Sequence, residues 1–218
     1  MKRWINVVNA SILLITSIMA NSNDLPANKS SAKQSPIDLQ MYQKQISGSV
    51  QICRTALAQW QSLGNKNKKS KPIAIFDIDE TLLSNQALME KYNYKLTVEQ
   101  FHAEVASSHP AAIPESRQLL KSMREAGLEV VLITGRKQAI CQKTAQQLQA
   151  NGISESDYIA LYCHADNKRP ADYKATVRQE LVDNGYTVVF SVSDQMGDLT
   201  GNHVGTPCQL PNPFYQVA

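Results

Sequence analysis

The amino-acid sequence predicts an α/β fold, an open parallel sheet flanked by helices. Two observations predict it. Four short apolar runs (Ile73-Ala74-Ile75-Phe76, Val130-Val131-Leu132-Ile133, Tyr158-Ile159-Ala160-Leu161-Tyr162 and Thr187-Val188-Val189-Phe190-Ser191-Val192) lack the polar alternation of a half-solvated strand. Continuous runs of this kind suit central strands covered on both faces. The stretches between them carry helical punctuation: Pro114 opens one helix and Gly127 follows its end, while Gly152 and Gly185 follow two more. Such a sheet takes ligands at the carboxyl ends of its strands, so residues just past each run are the first candidates for a site. No internal repeat is visible.

From the beginning of the chain, residues 1–20 read as a secretory signal. Met1-Lys2-Arg3 gives a positive start, and the apolar core is densest from Ile12 to Ala20, interrupted earlier by Asn9 and Ser11. That core is short for a membrane span, so an uncleaved anchor is the lesser reading. Cleavage after Ala20 or after Ser22 fits the small residues there, and no Cys lies near the cut to carry a lipid. The expected location is secreted or periplasmic, with no stable membrane anchor. Residues 21–36, rich in Asn, Ser, Lys and Pro, read as a flexible N-terminal segment.

The 218 residues allow one ordinary domain, expected over 37–218. Charged residues at 19% and hydrophobic ones at 43% exclude a wholly disordered chain and a polytopic membrane protein. Losing Lys2 and Arg3 with the signal lowers the net charge from +3 to +1, which gives little electrostatic reason to bind nucleic acid. The basic run from Asn65 to Lys71 has no interleaved aromatics and reads as a solvated loop. Ahead of it, Ile46, Val50, Cys53, Leu57 and Trp60 recur at spacings of four and three, the stripe of an amphipathic helix that Gly64 can end.

Export makes Cys53, Cys141, Cys163 and Cys208 candidates for two disulfides, with three possible connectivities. Cys141 begins the helix after the second strand and Cys163 ends the third, so both belong at one sheet edge. The expected bonds are Cys141–Cys163 and, by elimination, Cys53–Cys208.

The chemistry gathers at the strand ends. Asp77 and Asp79 follow the first run and point to one side of an extended backbone. Two converging carboxylates repel unless a cation or a proton intervenes, and hard oxygen ligands suit magnesium. The second run ends in Thr134-Gly135-Arg136, whose hydroxyl and N–H groups can hold phosphate oxygens. Lys174 follows the third run near a helix start, and Asp194 and Asp198 follow the fourth. Taken singly, each has an ordinary reading as an acidic turn, a surface lysine or a capping Asp.

Together, Asp-x-Asp-x-Thr at 77–81, Thr134-Gly135-Arg136, Lys174 and the final acidic pair resemble the haloacid dehalogenase (HAD) superfamily. The segment from Asp77 to Asn85 is similar to its acid phosphatase branch, which includes plant acid phosphatases, vegetative storage proteins and the bacterial class B and class C enzymes. Pro110-Ala111-Ala112-Ile113-Pro114, Tyr173-Lys174 with Arg178, and Leu210-Pro211-Asn212-Pro213-Phe214-Tyr215 are further matches. The resemblance implies a Rossmann-like HAD fold with a small cap insertion at about 85–113. It implies a phosphomonoesterase for small molecules, with Asp77 as nucleophile and Asp79 as general acid and then base. Thr134, Gly135, Arg136 and Lys174 would bind phosphate. Magnesium would be held by Asp77, the Asp79 carbonyl and Asp194, with Asp198 supporting. Plant relatives usually have Gly where this chain has Ser193.

Three rivals stand beside this reading. Cys163 and Arg169 satisfy a Cys-x5-Arg spacing, but the loop between them has no Gly to bare its N–H groups to phosphate. A storage or binding protein on the same fold would need a defect that the acids do not show. A phosphotransferase differs only in whether an alcohol replaces water, which leaves no sequence signature; neither does oligomeric state. His102, His109, His164 and His203 show no ligand spacing and read as surface or loop residues, with a place near the site left open for His203.

Overall fold

A computed structural model describes residues 37–64, 71–165 and 167–215. The expected signal, the 21–36 segment and residues 65–70 of the basic run lie outside these. The chain opens on helix α1 (Leu39–Ser62). Strand β1 (Lys71–Phe76) leads to the two-residue strand β2 (Leu83–Ser84), and helices α2 (Gln86–Lys91) and α3 (Val98–Glu104) precede strand β3 (Ala111–Ala112). Helix α4 (Pro114–Glu125), strand β4 (Glu129–Lys137), helix α5 (Cys141–Ala150) and strand β5 (Ala160–His164) follow. Helix α6 (Pro170–Asp183), strand β6 (Tyr186–Ser193) and strand β7 (Thr206–Gln209) complete the order.

The main sheet runs β5-β4-β1-β6-β7 with every pairing parallel, so all carboxyl ends lie on one edge. The apolar runs are continuous because successive side chains feed two cores. Ala74, Phe76, Val130, Leu132, Phe190 and Val192 join α1 and α4 on one face. Ile73, Ile75, Val131, Ile133 and Val188 join Tyr173, Val177 and Leu181 of α6 on the other. That is the period-two pleat with a core on each side. Phe76 is fully buried, and truncating it to Ala should cost about 3–5 kcal/mol.

The ends differ from the sequence reading in physical detail. β4 runs beyond Ile133 through Thr134 to Lys137. β5 starts at Ala160 rather than Tyr158, because a 3-10 turn over Glu155–Asp157 with a capping box at Ser154 occupies the approach. β7 was not foreseen: an edge strand packs against one neighbour only and needs no apolar run. Gly205 admits it, since a Cβ there would lie 2.5 Å from the Val189 carbonyl oxygen.

The Cys141–Cys163 disulfide is present, with Cα atoms 5.8 Å apart. The expected Cys53–Cys208 bond is not: both are free and buried, one on α1 and the other on β7. Elimination paired the right residues in the wrong oxidation state. His164 is also no surface residue; it is 3% exposed, with Lys137 Nζ 3.2 Å from its Nδ1. Among the described residues no helix is long and apolar enough to cross a membrane.

Candidate active site

The site begins where β1 ends. The Asp77 N–H donates to the Val192 carbonyl (2.9 Å), carrying the β1–β6 ladder one residue past the strand. The chain then turns back through a bridge between Asp79 and Leu83. The turn is closed by bonds to the Ile78 and Leu83 carbonyls, which leaves the Asp79 carbonyl out of them. Glu80 takes the turn at φ 50°, a strained value for a residue with a side chain. Its carboxylate is held by the Asn85 N–H (2.6 Å) and the Tyr215 hydroxyl (2.5 Å), which fix the strained conformer. Burial first, then repulsion from Asp79, pushes the Glu80 carboxyl up to about 8.

Four carboxylates converge here, all nearly buried: Asp77 at 7%, Asp79 at 8%, Asp194 at 5% and Asp198 at 7% exposure. Two cations answer them. Lys174 Nζ lies 2.7 Å from Asp77 Oδ1 and 2.5 Å from Asp198 Oδ2. Ser193 Oγ donates to the same Asp198 oxygen (2.7 Å). Burial, with help from Asp198, Asp194 and Asp79, lifts the Asp77 carboxyl well above the carboxylate range despite Lys174. Burial lowers the Lys174 ammonium, but Asp77 and Asp198 more than offset this and lift it.

Arg136 answers the other acid. Its Nε donates to Asp79 Oδ2 (2.9 Å) and its Nη2 to Oδ1 (2.7 Å), a bidentate fork. Asn85 Nδ2 adds a bond to Oδ1 (2.7 Å). The third guanidinium nitrogen goes to Gln147 Oε1 (2.5 Å) and Thr144 Oγ1 (3.4 Å). Thus the guanidinium, expected among the phosphate ligands, is engaged by Asp79, Gln147 and Thr144. The Thr134 hydroxyl accepts from the Arg136 N–H (3.1 Å), which leaves its own proton to give.

Asp194 accepts from Thr81 Oγ1 (3.4 Å), from Asn212 Nδ2 (2.7 Å) and from Gln195. Burial raises its carboxyl although these amides oppose the shift. Arg178 crosses under the last loop and donates to the Asp198, Thr200 and Asn202 carbonyls. The residues the sequence named therefore meet at one edge. Asn85, Gln147, Asn212 and Tyr215 were given no role there; Asn85, Asn212 and Tyr215 lay in the matched motifs, and Gln147, in a polar run of α5, had no signal.

The donor set fits a hard divalent cation. It is all oxygen, and four buried carboxylates outnumber the two cations among them. Among the described residues no group of three or more His, Cys, Asp or Glu stands in metal-binding array. Hard divalent cations such as magnesium take oxygen ligands of this kind and keep several waters. A cleft of about 650 Å³ opens over these groups. Its far wall comes from the segment between β2 and β3, chiefly Met89, Leu96, Phe101 and His102. His102 thus faces the site instead of lying on an unrelated surface.

Comparison with known proteins bears on family and fold. The sequence matches a family described as HAD superfamily, subfamily IIIB (Acid phosphatase), over residues 7–218. It is 31% identical to vegetative storage protein 2 of Arabidopsis thaliana over 76% of this chain and 64% of that one. It is 30% identical to acid phosphatase 1 of Solanum lycopersicum over 67% of this chain and 60% of that one. The match thus spans less than two thirds of either relative's length. The fold matches the class C acid phosphatase of Bacillus anthracis with a TM-score of 0.65 at 21% identity, covering 81% of this chain and 80% of that one.

Proposed function

The chain belongs to subfamily IIIB of the HAD superfamily, the acid phosphatases, and on that premise we propose that it is a magnesium-dependent acid phosphatase acting on small phosphomonoesters through an aspartyl-phosphate. One observation carries the reading. Two carboxylates two residues apart are divided between an ammonium shared with Asp198 (Lys174 on Asp77) and a bidentate fork (Arg136 on Asp79). That division suits a nucleophile and a proton carrier.

In this reading an Asp77 oxygen attacks phosphorus and the bond to the ester oxygen breaks. Asp79 gives its proton to the departing oxygen. Oδ1 of Asp79 already accepts from Arg136 and Asn85, whereas Oδ2 accepts only from Arg136 Nε, so Oδ2 has the lone pair for that proton. Water then attacks the phosphorus of the aspartyl-phosphate and passes a proton to Asp79. Inorganic phosphate leaves, with the Asp77 carboxylate and the Asp79 proton both restored. The Thr134 hydroxyl, the Gly135 N–H and Lys174 hold phosphate oxygens, while Arg136 acts on Asp79. Asp77, the Asp79 carbonyl and Asp194 would hold magnesium, with Asp198 in support; the bound ion supplies positive charge to offset that on the phosphoryl group.

Residues 85–113 are read as a cap bearing on substrate choice, and residues 1–20 as an export signal. Mature protein should begin near Asn21 or Asn23, and intact Met1 on cytoplasmic protein would refute export. For the activity, hydrolysis of an aryl phosphate should need magnesium and stop in excess chelator. Trapped phosphate should map to Asp77 by mass spectrometry. Full activity in chelator, or label on another residue, overturns the mechanism. The storage names among the relatives favour one rival, a folded protein without turnover, and the same assay decides it.

A further inference from the structure

Gln147 lies on α5, away from the strand-end motifs, yet it is 6% exposed and fully bonded. Its Oε1 accepts from Arg136 Nη1 at 2.5 Å. Its Nε2 donates to the Val105 and Ser108 carbonyls, each at 2.9 Å. Those carbonyls sit where the chain leaves α3 on its way to β3, at the exit of the insertion that walls the cleft. One amide therefore grips both the guanidinium that orients Asp79 and the backbone that carries the cap.

We infer that Gln147 is a positioning residue that couples the seating of the cap to the orientation of the Asp79 carboxyl. The geometry leaves little slack. Arg136 has a side chain with no exposed surface and uses Nε and Nη2 on Asp79, so Nη1 is the remaining handle by which the fork can be turned. Thr144 Oγ1 reaches the same nitrogen at 3.4 Å and itself donates to the Ile140 carbonyl, which makes it the weaker hold. A cap that shifts draws Val105 and Ser108 with it, and the amide, held at three points, passes the shift to Arg136. The cleft lies between the cap wall and Asp79, so a leaving group seated in it would be presented by the element that sets the acid's angle. This rests on the reading of Asp79 as the acid.

The test compares kcat/KM for p-nitrophenyl phosphate, whose leaving group departs without a proton, with that for an alkyl phosphate, whose leaving group requires one. Asp79→Asn should lower the alkyl value far more than the aryl value. Gln147→Met, of similar length but without the amide, should lower the alkyl-to-aryl ratio in the same direction by about tenfold to a hundredfold, the cost of a small misplacement. In the Asp79→Asn background Gln147→Met should leave that ratio unchanged, because it acts through Asp79. Should Gln147→Met fail to fold, Gln147→Glu takes its place: it keeps the shape but cannot donate to both carbonyls as an anion, and the same result is expected. If Asp79→Asn leaves the ratio flat, the acid assignment itself fails. A selective Asp79→Asn beside a Gln147 variant that lowers both substrates equally, or that shifts the ratio further in the double variant, overturns the coupling alone.

Discussion

Asp77 and Asp79 leave the same strand end two residues apart, yet each is held by a different kind of cation. Asp77 shares the single ammonium of Lys174 with Asp198. Asp79 lies in the planar fork of Arg136, which is itself held by Gln147 of α5, an amide that also bonds the Val105 carbonyl just past α3. An ammonium is a compact charge on a flexible stem that can serve successive acceptors, whereas a guanidinium imposes one plane. In the proposed mechanism the nucleophile shares its cation with an incoming phosphate, whereas the proton carrier keeps one angle through both half-reactions. The two environments suit those two demands, and spacing along the chain conveys neither.

The largest expected effect breaks the pair apart. Asp77→Asn removes the nucleophile while keeping its shape, and turnover should fall by about 10⁴-fold or more although substrate still binds. Asp79→Asn should instead give a rapid burst with an aryl phosphate followed by slow turnover, since water attack on the aspartyl-phosphate lacks its base. With a poor leaving group the loss should be about 10²–10⁴-fold. Stopped-flow release of nitrophenol measures both, and identical traces for the two variants would erase the distinction.

A smaller effect tests the side of the site that faces the metal. Asn212 donates to Asp194 from a tail 18 residues further along the chain. Asn212→Ala should weaken magnesium binding by about 10–100-fold, the usual cost of losing a ligand's outer partner. The aryl-to-alkyl preference should stay as it is. Titration calorimetry with magnesium reads the first part. A changed leaving-group preference with unchanged magnesium affinity would show that Asn212 belongs to the Asp79 side instead.

These residues also mark what sequence conveyed and what it did not. Asp77, Asp79, Thr134 and Asp194 each follow an apolar run, and a parallel sheet brings all such ends to one edge. Lys174 needed the resemblance, because a lone lysine near a helix start has no distinguishing pattern. Gln147, Asn212 and Tyr215 take their partners from tertiary approach alone. Tyr215 reaches Glu80 across 135 residues, and no periodicity encodes such a contact. The same limit hid β7, whose polar Thr206-Pro207-Cys208-Gln209 is a strand only because β6 offers it an edge.

The smallest effect asks how much repulsion each half retains without metal. Glu80 backs the Asp79 half, and burial with Asp79 pushes its carboxyl from 4.5 to about 8. The unfolded chain releases that proton near 4.5, so between these values the folded state binds more protons. Stability then falls as pH rises. The contribution is present in full below about 4.5 and gone once pH passes about 8. Asp77 and Asp194 are raised in the same sense by burial and add to the slope from the other half. Chelated protein should therefore melt at a lower temperature at pH 8.5 than at pH 5, by about 5 °C or more, since a carboxyl moved from 4.5 to about 8 supplies on the order of a few kcal/mol over that window. Glu80→Gln, which cannot ionise, should remove its share and leave the slope owed to Asp77 and Asp194. Tyr215→Phe, which deletes a donor to the Glu80 anion, should steepen the slope instead. Magnesium should restore more stability at pH 8.5 than at pH 5, because the ion offsets charges that exist only at the higher pH. Melting curves in chelator that are flat or rise with pH would show that the carboxylates around the empty site are already relaxed, and that Lys174 and Arg136 suffice to balance them.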